Sequence, residues 1–147
     1  MLAQLILASM MVLVTVIIHL IGLAILVRLL RSHHRLMRPV RIMPLTILLV
    51  AAFGIFAIHT IEIWVYAALY VQLGATSGFE ESLYFSTVTY ASIGYGDVLL
   101  PHAWRILGAI EGATGVIMLG WSTAFLVSLL ARFNMFRHDW LTPDGAE

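Results

Sequence analysis

Residues 92 to 97 read Ser-Ile-Gly-Tyr-Gly-Asp. Two glycines flank one tyrosine, with a hydroxyl residue behind them and a carboxylate in front. Glycine lacks Cβ, so Gly94 and Gly96 can hold backbone angles that are costly for other residues. An extended run containing them can turn successive carbonyl oxygens toward one axis. Several such strands around that axis can replace the water shell of a dehydrated cation. A second set of chemically able residues lies in the apolar runs on either side. His59 and Glu62 stand three residues apart in one run, and Glu111 lies in another. Counted along two helices at the standard rise, the three fall at similar depth. A neutral hydrogen-bonded cluster joining two helices is the expected role, with a protonation switch as the alternative.

These residues need elements to carry them, and composition says which. Of 147 residues 61% are hydrophobic and only 11% charged, with a mean hydropathy of +0.98. A soluble domain rarely dispenses with so much polar surface. Met1 to Val27, Ile42 to Ile61 and Gly112 to Ala131 are free of charge. Each reaches the ~20 residues needed to cross hydrocarbon as a helix. An integral membrane protein follows, expected as one compact domain with no soluble regulatory domain. The chain has no cysteine, so disulfide chemistry is excluded.

Net charge is zero, which offers nothing to a nucleic acid, but the distribution is uneven. All eight basic residues are arginines; Arg28, Arg31, Arg35, Arg38 and Arg41 lie between the first two runs, and Arg132 and Arg137 follow the last. Positive charge marks the cytoplasmic side. The expected topology in a cell membrane has the N-terminus and the 92–97 run outside and the C-terminus in the cytoplasm. The arginine segment is expected to rest on anionic lipid headgroups. Its spacing resembles a voltage-sensing helix only superficially, because Pro39 and Pro44 interrupt it. The first run lacks the basic start and cleavage pattern of a secretory signal. His19 within it is expected to hydrogen-bond a neighbouring helix.

Gly74 to Gly78 is a turn in which Thr76 and Ser77 are candidate N-caps. Phe79 to Ala91 then forms a helix of about 20 Å, too short to span. Glu80 and Glu81 fall in its first turn, where the helix dipole favours anions. Irregular backbone at membrane depth is tolerated only where it is buried or lines water, so this helix and the 92–97 run are expected to be re-entrant. Val116, Leu119 and Thr123 recur on one face of the last helix.

The run at 92–97 resembles the selectivity filter of the tetrameric potassium-channel family, whose usual form is Thr-Val-Gly-Tyr-Gly-Asp, and the resemblance extends from Leu45 to Arg132. It departs at Ser92, which keeps the hydroxyl and loses a methyl, and at Ile93, a conservative change. The resemblance implies an all-α membrane protein with three transmembrane helices, a re-entrant pore helix and a filter loop, assembled as a homotetramer. It implies a domain plan of 1–44 (first helix and basic linker), 45–132 (pore) and 133–147 (cytoplasmic tail). K+ would bind at Ser92, Ile93, Gly94, Tyr95 and Gly96, with Asp97 supporting the outer mouth. Val116, Leu119 and Thr123 would line the cavity, and Gly115 is the hinge candidate. No cofactor besides K+ and no enzymatic activity is expected. Intramembrane aspartyl proteases also carry a Gly-x-Gly-Asp string, but they need two carboxylates, and the other aspartates here, Asp139 and Asp144, lie in the tail. A weakly selective cation channel and a non-conducting assembly subunit are the alternatives.

Overall fold

The computed structural model describes residues 1–36 and 43–132. Helix α1 runs Leu2–Leu36, α2 Met43–Gln72, α3 Phe79–Tyr90 and α4 Arg105–Arg132, with a 3-10 turn at His102–Trp104 before α4. No strand occurs among the described residues. Three of the helices are long and apolar enough to cross a membrane. The protein is an all-α, multi-pass membrane protein.

α1 continues past the first apolar run and carries Arg28, Arg31 and Arg35 on the same helix. The reason is local, since neither glycine nor proline stands between Val27 and Pro39. The rest of the expected basic connection, and the whole tail from 133, lie outside the described residues. α2 has Pro44 at its second residue, where a missing N–H costs no intrahelical bond. At its other end Gly74 takes φ +59°. The Gly74 N–H donates to the Val71 carbonyl at 3.0 Å and the Ala75 N–H to that of Tyr70 at 2.9 Å. This pair of bonds is a Schellman stop, and it needs the left-handed residue that glycine supplies.

α3 is capped differently from the sequence expectation. Gly78, not Thr76 or Ser77, occupies the N-cap position. Ser77 instead gives both its backbone N–H, at 2.6 Å, and its hydroxyl to the Glu81 carboxylate. The helix starts one residue later than a Ser77 cap requires, and the carboxylate reaches back to meet the chain. That exposed carboxyl is held below the usual carboxylate range by the two Ser77 donors.

α3 packs between α2 and α4, and α1 packs against the same two helices. Two apolar clusters result. One gathers Ala8 and Met11 of α1 with Tyr66, Tyr70, Phe85 and Leu107. The other joins Leu23, Leu26 and Leu30 to Ile47, Ala51, Ile55 and Ile58, with Phe125 and Leu129 against it. Close approach of α1 and α2 is marked by Gly54, where a Cβ would meet Leu26 at 2.5 Å; small residues let membrane helices come this near. The polar side chains of the interior lie between and beside these clusters.

Candidate functional site

The geometry of the 92–97 run begins with its amides. The Ser92 N–H donates to the Thr89 carbonyl at 2.9 Å, and the Ile93 and Gly94 N–H groups both donate to Val88 at 2.8 and 3.0 Å. Three consecutive amides therefore point back at the end of α3. In a planar trans peptide the carbonyl opposes the next residue's N–H. The carbonyls of Ala91, Ser92 and Ile93 accordingly face away from α3. The dihedrals agree. Ser92, Gly94 and Gly96 take φ of 57°, 56° and 79°, while no positive φ occurs at Ile93 or Tyr95. Alternation of left-handed with ordinary residues keeps successive peptide dipoles on one side. Among the described residues Ser92 is the one non-glycine with positive φ, a conformation costing L-residues roughly 1–2 kcal/mol.

Both ends of the run are fastened. At the outer end the Tyr84 hydroxyl of α3 donates to Asp97 Oδ2 at 2.6 Å. That bond holds the exposed Asp97 carboxyl below the usual aspartate range. At the inner end Tyr90 is pressed by α4, where a Cβ on Gly115 would lie 2.0 Å from the Tyr90 carbonyl oxygen. Gly112 faces Thr89 in the same way, its Cβ position 3.3 Å from the Thr89 carbonyl. Gly115, the hinge candidate, is thus a buried contact in a helix unbroken from Arg105 to Arg132.

The buried ionisable residues form two groups rather than one. His59 and Glu62 meet, with His59 Nδ1 3.0 Å from Glu62 Oε2. Their further partners are His19 of α1, whose Nδ1 is 3.0 Å from Glu62 Oε1, and Tyr90, whose hydroxyl donates to Glu62 Oε2. Ser122 of α4 closes the group at 3.0 Å from His59 Nε2. Glu111 pairs elsewhere: it accepts the Tyr70 hydroxyl at 2.6 Å and the Ser86 hydroxyl. Ser86 and Tyr90 are one turn apart on α3, so the two carboxylates contact that helix one turn apart. A depth count gives height along each helix and ignores which neighbour each side chain faces. His19 is bonded to a neighbouring helix, as its place in an apolar run suggested; the parts played by Tyr70, Ser86, Tyr90 and Ser122 carry no sequence signal beyond a hydroxyl in an apolar context.

Val116, Leu119 and Thr123 lie on a face of α4 left open by the other helices of the chain, and Val116 is 54% exposed. Residues 91–97 are likewise exposed, Tyr95 at 69%. Thr123 gives its hydroxyl to the Leu119 carbonyl at 2.9 Å rather than to the buried groups.

Fold and site together define a membrane protein in which a short helix and a structured loop are held between two spanning helices. The family model described as an ion channel matches residues 45–132, and the chain belongs to this pore-loop ion-channel family. Comparison with curated proteins and with solved structures gave no match. The matched residues start within α2, so α1 stands outside them.

Proposed function

We propose that the protein is a potassium channel whose filter is the 92–97 run, conducting K+ passively through a ring of four identical chains. The observation that supports this most is the backbone of Ser92 to Gly94, with its amides turned to α3 and its carbonyls turned away. Carbonyls of Ser92, Ile93, Gly94 and Tyr95, with the Ser92 hydroxyl and the Gly96 backbone, would take over the coordination of a dehydrated cation. One strand cannot encircle an ion, and an exposed irregular backbone at membrane depth needs cover or water. Closed rotational symmetry provides both, since identical subunits form rings. The exposed face of Val116, Leu119 and Thr123 would then border the water-filled cavity below the filter, and Asp97 would steady the outer mouth.

In this reading the protein sits in the cell membrane with its N-terminus and filter outside and its C-terminus in the cytoplasm, its arginine segment against anionic headgroups. Reconstituted liposomes with opposed potassium and sodium gradients test it. Potassium flux well above sodium flux is expected. Gly94→Ala should remove the discrimination, because an L-side chain is strained at a φ of +56°. Equal sodium and potassium flux in the unmodified protein would establish the weakly selective alternative, and no flux of either the assembly-subunit one.

A further inference from the structure

We propose that His19, His59 and Glu62 bind a divalent transition-metal ion of the zinc class, which fastens α1 to the helices of the ion-channel domain. Each of the three residues offers a ligand atom, and these atoms lie within 4.8 Å of one another in a buried setting. The two Nδ1 atoms each stand 3.0 Å from a different oxygen of Glu62. Ligand atoms about 2.0–2.2 Å from a tetrahedral zinc are separated by roughly 3.3–3.5 Å, so an ion would open the two 3.0 Å contacts slightly and gather ligand atoms that now lie within 4.8 Å of one another. Two imidazole nitrogens and one carboxylate oxygen suit zinc, cobalt, nickel or copper, whereas alkali and alkaline-earth ions take oxygen donors.

The hydrogen count also accommodates an ion. As a carboxylate Glu62 only accepts, so a neutral histidine that bonds it carries its proton on Nδ1; the Tyr90 hydroxyl, 3.1 Å from His59 Nδ1, is that atom's other partner. With both rings in that form both Nε2 atoms are bare acceptors, and both face the same hydroxyl, Ser122 Oγ, at 3.0 Å from His59 and 3.5 Å from His19. One hydroxyl has one proton, so the set is completed by a proton on one ring, by the other His59 tautomer or by an ion between the rings. A metal ion on the Nδ1 side treats both rings alike. Both rings then carry hydrogen on Nε2, and both donate to the two lone pairs of Ser122 Oγ. Metal-bound histidines regularly give their other N–H to such a partner. Tyr90 keeps its bond to Glu62 Oε2 and so orients the carboxylate. Among the described residues Glu62 has histidines and no arginine as ion-pair partners, and a bound ion would add positive charge beside this buried carboxylate.

The site joins α1 to α2 directly, and through Ser122 and Tyr90 it reaches α4 and the end of α3. His19 and Glu62 are fully buried, so the ion enters as α1 docks and is afterwards retained. The proposal does not rest on conduction, and its test reads no flux.

Tag-free full-length protein is purified in detergent from cells grown with added zinc, washed with a chelator and analysed for metal. About one zinc per chain is expected, with His102→Asn, far from the cluster, unchanged. His19→Asn keeps an N–H for Glu62 but removes a strong ligand, and should lower the content by about tenfold or more. Cobalt grown into the unmodified protein should give the visible absorption bands of a tetrahedral nitrogen–oxygen site, which decides the matter even where His19→Asn fails to fold. Folded, unmodified protein with neither retained zinc nor cobalt bands, or with zinc no higher than His19→Asn, overturns the proposal and leaves a purely hydrogen-bonded cluster.

Discussion

A Cβ placed on Gly115 would lie 2.0 Å from the carbonyl oxygen of Tyr90, two residues before Ser92. α4 therefore touches the backbone of α3 at the point where that helix ends, and only a glycine permits the approach. Backbone cannot swing aside as a side chain can. Gly115→Ala should cost about 1–3 kcal/mol through overpacking and should disturb flux. Gly120 has nothing within 4 Å of its Cβ position, so Gly120→Ala should be neutral or stabilising by up to about 1 kcal/mol. Thermal unfolding in detergent compares the two; equal melting temperatures would contradict the contact.

Tyr84 and Asp97 make the outer tie of the loop, and its pH dependence has a definite sign. Asp97 is depressed in the folded protein by the Tyr84 hydroxyl. Its contribution is present above the ordinary aspartate value and is lost as pH falls through the lower folded value. Tyr84→Phe removes the cause. The variant should melt below the unmodified protein at neutral pH, and the gap should close as pH drops below about 4. Melting curves across that range check it, and a gap constant with pH would show that the bond is unimportant.

Glu111 holds two hydroxyl donors, Tyr70 and Ser86, in a fully buried place. In Glu111→Gln the amide nitrogen can donate to Ser86 Oγ, whose proton then turns to the Ile63 carbonyl at 3.0 Å, while the amide oxygen keeps the Tyr70 hydroxyl. The loss should be about 1 kcal/mol, as hydrogen bonds to the carboxyl are exchanged for weaker ones. Combining it with Tyr70→Phe should cost less than the sum of the single changes, because both weaken the same hydrogen bond. Additive losses would mean that the two residues do not interact.

The exposed face of α4 can be mapped directly, since the chain has no cysteine. Leu119→Cys and Thr123→Cys should react with aqueous thiol reagents added from the cytoplasmic side of a conducting channel. Met118→Cys, at a position only 3% exposed, should stay protected. Protection at both 119 and 123 with reaction at 118 would place the cavity on another face.

What the sequence determined by itself is local. Span lengths follow from uninterrupted apolar runs, the short α3 from the turn at Gly74 to Gly78 before it and the glycine run after it, and the family from the matched stretch between Leu45 and Arg132. Each depends on neighbours a few residues apart, where composition and periodicity are informative. Even here the N-cap is Gly78 rather than Thr76 or Ser77, and Ser77 lies one residue further out, donating to the Glu81 carboxylate.

Only the tertiary structure decided which buried polar groups meet. His19 lies 43 residues from Glu62 and 103 from Ser122, separations over which no periodicity reports. Depth along a helix can be counted, but the direction a side chain faces depends on how four helices rotate against one another. That rotation is set by close contacts such as Gly115 on Tyr90 and Gly54 on Leu26. It places Glu111 against Tyr70 and Ser86, and draws α1, through His19, onto the carboxylate of Glu62.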